Sequence, residues 1–560
     1  MRHINISVIF IKTFSELFQE NQKNMLKIIF RSLLCIVAIF SLCFNMVGCD
    51  FKPKRSPYVL VNRLGDNPAT LNPILATDAE SSSVLEYVYE TLLKTDYKTL
   101  ELQPMLAEKW DVSDDHLTYI FTIRKGVTWQ DGVPFTVDDV IYSFERIQDP
   151  KVDAGRLRSY LVDVLSVKKI NDDQVEFKYK KPYFKALEII GAGMPIIPTH
   201  IFDNGEDFNT HSADRKPIGT GPFKFKEWET GQKVELERYD GYWGKHPEIS
   251  GIVFKVIPNS TVALQLLKKG DLDINGLRAI QWAKQTESKV FNDKFNKYHY
   301  WIPNFAYIGW NLKKPYFKDR KTRIAMTMLL NRQEILDKLL FNQGEVVTGC
   351  FYKFSNAYNH DLAPYAYDPE EAKKLLKEAG WADTNKDGIL DRNGIPFIFT
   401  YIYPTGSTFS RSLGLILRQN LYKIGIEVKL MPMEWAAMLG RMRDRDFDAV
   451  SLAWSLGFNQ DPYQVWHSTQ IKEGSNYIGF ENKEVDKLLE QARVQFDPKK
   501  RDEIYRKVHE IIHYEEPYTF LFTTPNMIAV SKRFTNVQQY KAGLDILEWG
   551  VTPVHNLIQW

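Results

Sequence analysis

Apolar residues alternate with polar ones over some stretches of the chain and recur at three- and four-residue spacing over others. Alternation predicts strands over 58–63, 116–124 and 174–179. Helical spacing predicts a helix over 81–91, with Val84, Leu85, Val88 and Leu92 on one stripe. It also predicts amphipathic helices over 138–146, 262–269, 320–330, 370–378, 409–424 and 483–494. Thr136 stands where the helix over 138–146 needs an N-cap. The two periods interleave along most of the sequence, with no internal repeat and no low-complexity tract, which predicts a mixed α/β body. At 560 residues that body divides into more than one lobe, because a single core stops growing well before this length. No GxGxxG or other glycine-rich phosphate loop occurs, so a nucleotide site has no support.

A composition 44% hydrophobic and 25% charged excludes a disordered or fibrous chain. Lys and Arg number 72 against 70 Asp and Glu, a net charge of +2. That is too little for a protein working through nucleic-acid phosphates, so no nucleic-acid partner is expected. Lys27 and Arg31 precede an apolar run over 33–44, long enough for a signal-peptide core and short for a membrane span. The run ends at Met46, Val47, Gly48 and Cys49, which resembles a bacterial lipobox, with Met46 and Val47 departing from the usual Leu and smaller residue. Residues 1–48 are read as a signal peptide whose true start is Met25, and 49–57 as a tether lipidated on Cys49. The alternative is an uncleaved N-terminal helix. Asp50 resembles an inner-membrane retention signal, so the expected location is the cell envelope, on the periplasmic or extracytoplasmic face of the cytoplasmic membrane. Cys35 and Cys43 leave with the leader and Cys49 is alkylated, so Cys350 alone remains and no intramolecular disulfide is expected.

Several motifs then follow in order: LNP at 71–73, VYETLL at 88–93, LAEKW at 106–110, FTIRKGVTWQDG at 121–132 and FTVDDVIYSF at 135–144. PIGTGPF at 217–223, Tyr242 with Trp243, LKKGDLD at 267–273 and KDRKTRIA at 318–325 continue the series. Together they resemble the family 5 extracellular solute-binding proteins, the oligopeptide and dipeptide receptors of ABC importers. The resemblance covers nearly the whole chain after the tether. It implies a two-lobed fold like that of periplasmic binding proteins (type II, cluster C), with an extra subdomain and hinge closure over the ligand. Residues 58–98, 216–306 and 524–560 would form a discontinuous first lobe, 99–215 its added subdomain, and 307–523 the second lobe. It also implies a peptide as ligand, ABC-transporter permease subunits as partners, a monomeric state, no cofactor and no enzymatic activity. A non-peptide solute such as a nickel chelate or an oligosaccharide is the alternative within the family.

The family's cleft segment matches Glu434 with Trp435, and Trp454 to Pro462 through Leu456, Gly457, Phe458, Asn459 and Asp461. In the peptide receptors an Asp three residues after such a tryptophan pairs with the ligand's α-ammonium. Here Gly457 occupies that position, which puts recognition of short peptides by their amine in doubt and leaves Asp461 as a substitute or as the cap of a turn. Trp435 and Trp454 are expected cleft walls, Glu80 and Ser81 stand where a ligand-pairing loop runs, and Arg441 and Arg443 are candidates for a ligand carboxylate.

Two metal-like patterns compete with this reading. His509, Glu510 and His513 spell HExxH, the signature of a zinc metallopeptidase. No third ligand follows at a familiar spacing, and a stripe of Ile504, Val508, Ile511 and Ile512 is expected to turn both histidines to the polar side. Asp383, Asn385, Asp387 and Asp391 have the spacing of an EF-hand loop, but Gly394 replaces the glutamate that completes the calcium shell. A polar turn explains the same residues. No GxSxG occurs, and Cys350 has no histidine-bearing signature around it. A surface adhesion lipoprotein on the same scaffold is the remaining class.

Overall fold

The strand expected over 58–63 forms at Val59–Leu64 and pairs in parallel with a strand far along the chain, Gly251–Val256. The computed structural model describes residues 56–552, the side chain of Glu473 apart, so Cys49, the leader and nearly all of the tether lie outside the described residues. Lys233–Arg238 and Phe223–Glu229 extend this sheet in antiparallel fashion. A second sheet places Pro525–Ser531 between Ile274–Gly276 and Phe295–Trp301. Segments distant in sequence thus build one lobe. A separate antiparallel sheet of Ala107–Val112, Thr118–Ile123, Gln174–Tyr179 and Val164–Asn171 is covered by the helix Val137–Gln148. Its core residues Phe121, Val140 and Phe177 continue into those of the first sheet, Leu60, Val234 and Phe254.

The other lobe is built on five strands in the order Glu427–Met433, Ile398–Pro404, Ala449–Ser455, Asn304–Trp310, Tyr518–Phe520. Both of its faces are covered, so its strands are apolar on both sides. Phe305, Tyr307 and Ile402 belong to the core on one face; Ile308, Trp310, Phe399 and Tyr401 belong to the core on the other. Side chains on a strand alternate between faces, and these residues follow that rule.

The chain passes between the lobes where Phe295–Trp301 leads into Asn304–Trp310, and returns through Phe522–Thr523 into Pro525–Ser531. The Asn304 side chain joins the two passages. Its amide donates to Thr524 O at 2.7 Å, and its Oδ1 accepts from Thr524 N at 3.1 Å.

The helix expected over 81–91 stops early, as Ala79–Leu85. Helical spacing continues past Leu85, but the carbonyls of Tyr87 and Val88 accept from Phe223 N (3.1 Å) and Gly221 N (2.9 Å) instead of from their own helix. The approach is so close that a Cβ on Gly219 would sit 1.8 Å from Val88 O. The glycines of the PIGTGPF motif therefore end this helix. The other predicted helices form, as Ser260–Lys269, Arg320–Met328, Pro369–Glu378, Thr408–Tyr422 and Lys483–Arg493. Among the described residues no helix is long and apolar enough to cross a membrane.

Candidate functional site

Three strands of the second lobe, Ile398–Pro404, Glu427–Met433 and Ala449–Ser455, run parallel and end on the same side. Loops at the carboxyl ends of such strands are where α/β folds place ligands. Beyond Ser455 the loop enters a cleft of about 1250 Å³. The first lobe lines this cleft with Thr95, Leu102 and the successive residues His299, Tyr300 and Trp301. Phe184, Leu187 and Glu188 come from the segment after the antiparallel sheet, and the second lobe adds Tyr352, Phe354, Gly457, Phe458, Asn459, Arg501 and Asp502. Trp301, Phe354, Tyr352 and Phe458 make a run of ring contacts, with successive centroids 4.8, 5.5 and 5.9 Å apart.

The loop is fixed from both lobes. Leu456 N donates to Pro303 O, next to the first passage between the lobes. Lys185 Nζ donates to Asn459 O at 2.7 Å, and Asn459 Nδ2 to Glu188 Oε2 at 2.9 Å. Gln460 Oε1 accepts from Tyr352 N. Asp461 is held most tightly. Its carboxylate accepts from Arg493 Nε at 2.8 Å and from the Tyr183 hydroxyl at 2.7 Å, and the Arg493 guanidinium lies 3.8 Å over the Tyr463 ring. With its side chain 7% exposed and its charge matched, Asp461 joins the subdomain to the second lobe and offers no free carboxylate to a ligand amine. Gly457 and its neighbours bring no acid of their own.

The sequence candidates thus separate. Gly457, Phe458 and Asn459 line the cleft. Trp454 is half-buried and stacks on Tyr307 with planes 7° apart, at the end of a core stripe with Val450 and Leu452. Leu456 packs against the same core. Trp435 opens the helix Trp435–Arg443 at the far edge of the sheet and is 52% exposed. Arg441 lies 3.7 Å from Asp446, and Arg443 is exposed. Ser81 is buried with its hydroxyl donating to Asp78, the cap of its own helix, and Glu80 sits in that helix's first turn. None of these seven side chains, Trp454 included, is among the cleft-lining residues. Sequence reasoning missed Trp301, Phe354, Glu188, Arg501 and Asp502, which lie on four separate segments with no motif between them; the aromatic density of 298–301 and 351–354 was the one available signal.

The HExxH pair is corrected by the helix Pro498–Glu515. His509 is wholly buried, on the stripe Tyr505, Val508, His509 and Ile512, not on the polar side. Asn359 N donates to its Nδ1 at 3.0 Å, so Nε2 carries the proton and donates to Thr348 Oγ1 at 3.1 Å. Burial pushes its pKa down to about 3. His513 packs on Tyr365, and Glu510 faces solvent. Both ring nitrogens of His509 are engaged in hydrogen bonds within the chain, so the HExxH histidines are not arranged as a pair of zinc ligands. In the EF-hand-like loop, Asp383 accepts from Asp387 N and Gly388 N, Asp387 from Ile389 N, and Asp391 from Thr384 N. The acids close turns on their own backbone. Among the described residues no group of three or more His, Cys, Asp or Glu is placed to hold a metal. Cys350 is buried, which pushes its thiol far above the usual range.

The family motifs meet elsewhere, at a buried carboxyl. Glu90 of VYETLL accepts from Thr220 Oγ1 of PIGTGPF at 2.8 Å, from the Tyr242 hydroxyl at 2.7 Å and from Trp243 Nε1 at 2.9 Å. Burial outweighs these three donors and raises its pKa to about 7.

Comparison with known proteins agrees with this geometry. The pattern of the bacterial extracellular solute-binding proteins, family 5, matches residues 101–476. The chain is 35% identical over 534 residues to the oligopeptide-binding protein AppA of Bacillus subtilis, covering 91% of this chain and 95% of that one. It is 29% identical over 479 residues to the dipeptide-binding protein of Escherichia coli, covering 80% and 86%. The structure of Bacillus subtilis AppA in complex with a nonapeptide superposes with a TM-score of 0.80 at 34% identity, covering 88% of this chain and 99% of that one. NikZ from Campylobacter jejuni in complex with Ni(L-His) superposes at 0.77 with 25% identity, covering 89% and 100%. With its two lobes, its interlobe cleft and a match over most of its length, this chain belongs to the bacterial extracellular solute-binding proteins, family 5.

Proposed function

We propose that this protein captures peptides between its lobes and delivers them to the permease of an ABC importer, held at the membrane by a lipid on Cys49. The observation that carries the reading is the cleft itself. A space of about 1250 Å³ with a run of aromatic rings, lined from both lobes, suits an extended chain better than a compact solute. A relative covering nearly the whole chain carries the name oligopeptide-binding protein, and its structure holds a nonapeptide. Closure would bring Asp461 and Asn459 of the second lobe onto Tyr183, Lys185 and Glu188, with the two passages at Asn304 and Thr524 as the hinge.

The likeness to NikZ with its nickel–histidine complex keeps a second reading, a small metal chelate. The absence of a convergent metal-binding group among the described residues weighs against direct coordination. Native mass spectrometry of the purified protein, followed by denaturation and fragmentation of what is released, separates the two. A spread of peptide masses supports the peptide receptor. A single non-peptide mass keeps the receptor role and replaces the substrate. Lipidation is tested by metabolic labelling with a fatty-acid analogue, which Cys49→Ser abolishes.

A further inference from the structure

With Gly457 in place of an acid and Asp461 bound to Arg493, the cleft has lost the carboxylate expected to meet a ligand's ammonium. Resting on the peptide reading, we propose that Asp502 supplies it, as the anchor for an alkylammonium group of the ligand. Pro498, Arg501 and Asp502 line the cleft from one face of the helix Pro498–Glu515, at positions separated by three and four residues. Two cations lie near Asp502, and both direct their N–H groups elsewhere. Arg501 donates to Gln495 O at 2.9 Å and lies 4.0 Å over the Phe184 ring. Arg506 donates to Asn356 O at 2.7 Å. Asp502 itself has no hydrogen bond or ion pair among the described residues. The other carboxylate of the lining, Glu188, is occupied by Lys185 at 3.2 Å and by Asn459.

A carboxylate that is partly withdrawn from water and lacks a partner is unfavourable until a cation reaches it. The same cavity is lined by Trp301, Tyr352 and Phe354, aromatic rings of the kind that attract a cation through their quadrupoles. An ammonium on an aliphatic stem satisfies both demands, and a neutral or anionic group satisfies neither. The ammonium has two sources in a peptide, the N-terminus and a lysine side chain.

The test uses two pairs of nonapeptide mixtures and competition binding to the purified protein. The first pair lacks Lys and Arg and has a free or an acetylated N-terminus. The second is acetylated throughout and carries either one Lys or norleucine in its place. Wild-type protein is expected to prefer the ammonium-bearing member of one pair by about ten- to hundredfold, the range of a charge-assisted hydrogen bond. Asp502→Asn should bring that ratio to near one, and Asp502→Glu should retain part of it. The pair that responds identifies the source. A preference that survives Asp502→Asn overturns the assignment, as does a wild type that binds the mixtures without preference. A wild type that binds no peptide overturns the peptide reading and this assignment together.

Discussion

Two polar regions of this protein, the buried cluster around Glu90 and the cleft between the lobes, are built from opposite kinds of sequence. Around Glu90, three motifs meet: Glu90 itself, Thr220 with its flanking glycines, and Tyr242 with Trp243. Every group there is satisfied within the chain. In the cleft, Trp301, Phe354 and Asp502 come from segments that share no motif, and Asp502 is left without a partner among the described residues. The motif residues around Glu90 therefore hold the scaffold, whereas most of the cleft's lining lies outside any motif. A receptor needs the first to be rigid and the second adaptable.

The comparison predicts that changes at the motif cluster act on folding and changes in the cleft act on ligand choice. The largest effect is expected at Gly219. Its Cβ position coincides with Val88 O, so Gly219→Ala should give a chain without a cooperative thermal transition by circular dichroism. Glu90→Ala leaves one buried and two part-buried donors without an acceptor and should lower stability by roughly 3 kcal/mol, read from chemical denaturation. Its pH dependence has a definite sign. A carboxyl raised to about 7 in the fold holds its proton longer than in the unfolded chain, so its contribution is fullest below about pH 4.5 and declines as pH rises towards 7. Glu516, raised to about 8 by burial, acts in the same direction. Glu90→Gln should flatten the fall of stability over pH 5–7 and leave the Glu516 part in place.

Asp461→Asn should cost about 3 kcal/mol, because Arg493 loses its partner in a largely buried site. It should also speed ligand release without altering the ammonium preference that Asp502→Asn removes, as seen by stopped-flow displacement. Equal effects of the two variants on that preference would merge the roles separated above. Asn304→Ala, which frees the two interlobe passages from each other, should cost about 1–2 kcal/mol and weaken ligand binding to a similar degree, checked by calorimetry. The smallest change is expected at Trp435, half-exposed at the sheet's edge, where Ala should alter stability by less than about 0.5 kcal/mol.

The fold was largely legible in the sequence because long amphipathic helices such as Thr408–Tyr422 carry their period openly. The helix from Ala79 was overextended, since its end depends on glycines more than a hundred residues away. His509 was misplaced for a related reason: a stripe drawn through Ile504 and Ile511 differs by one residue from the stripe that is buried, and a neutral histidine with both nitrogens hydrogen-bonded can take a buried position. Of the cleft, Gly457, Phe458 and Asn459 were found through the tryptophan that precedes them. The rest of its wall was not, because a site assembled from many separate segments has no local spacing to reveal it. Asp461 shows the limit in reverse, since only the fold brings Arg493 and Tyr183 to its carboxylate.

Hydrogen exchange measured by mass spectrometry, with and without the nonapeptide mixtures, tests the division between scaffold and cleft most directly. The account predicts new protection over 299–301, 351–356, 456–461 and 498–502 when peptide is added, with 217–223 already protected and unchanged. Protection that appears at 217–223, or that leaves 456–461 and 498–502 untouched while peptide is bound, would contradict it.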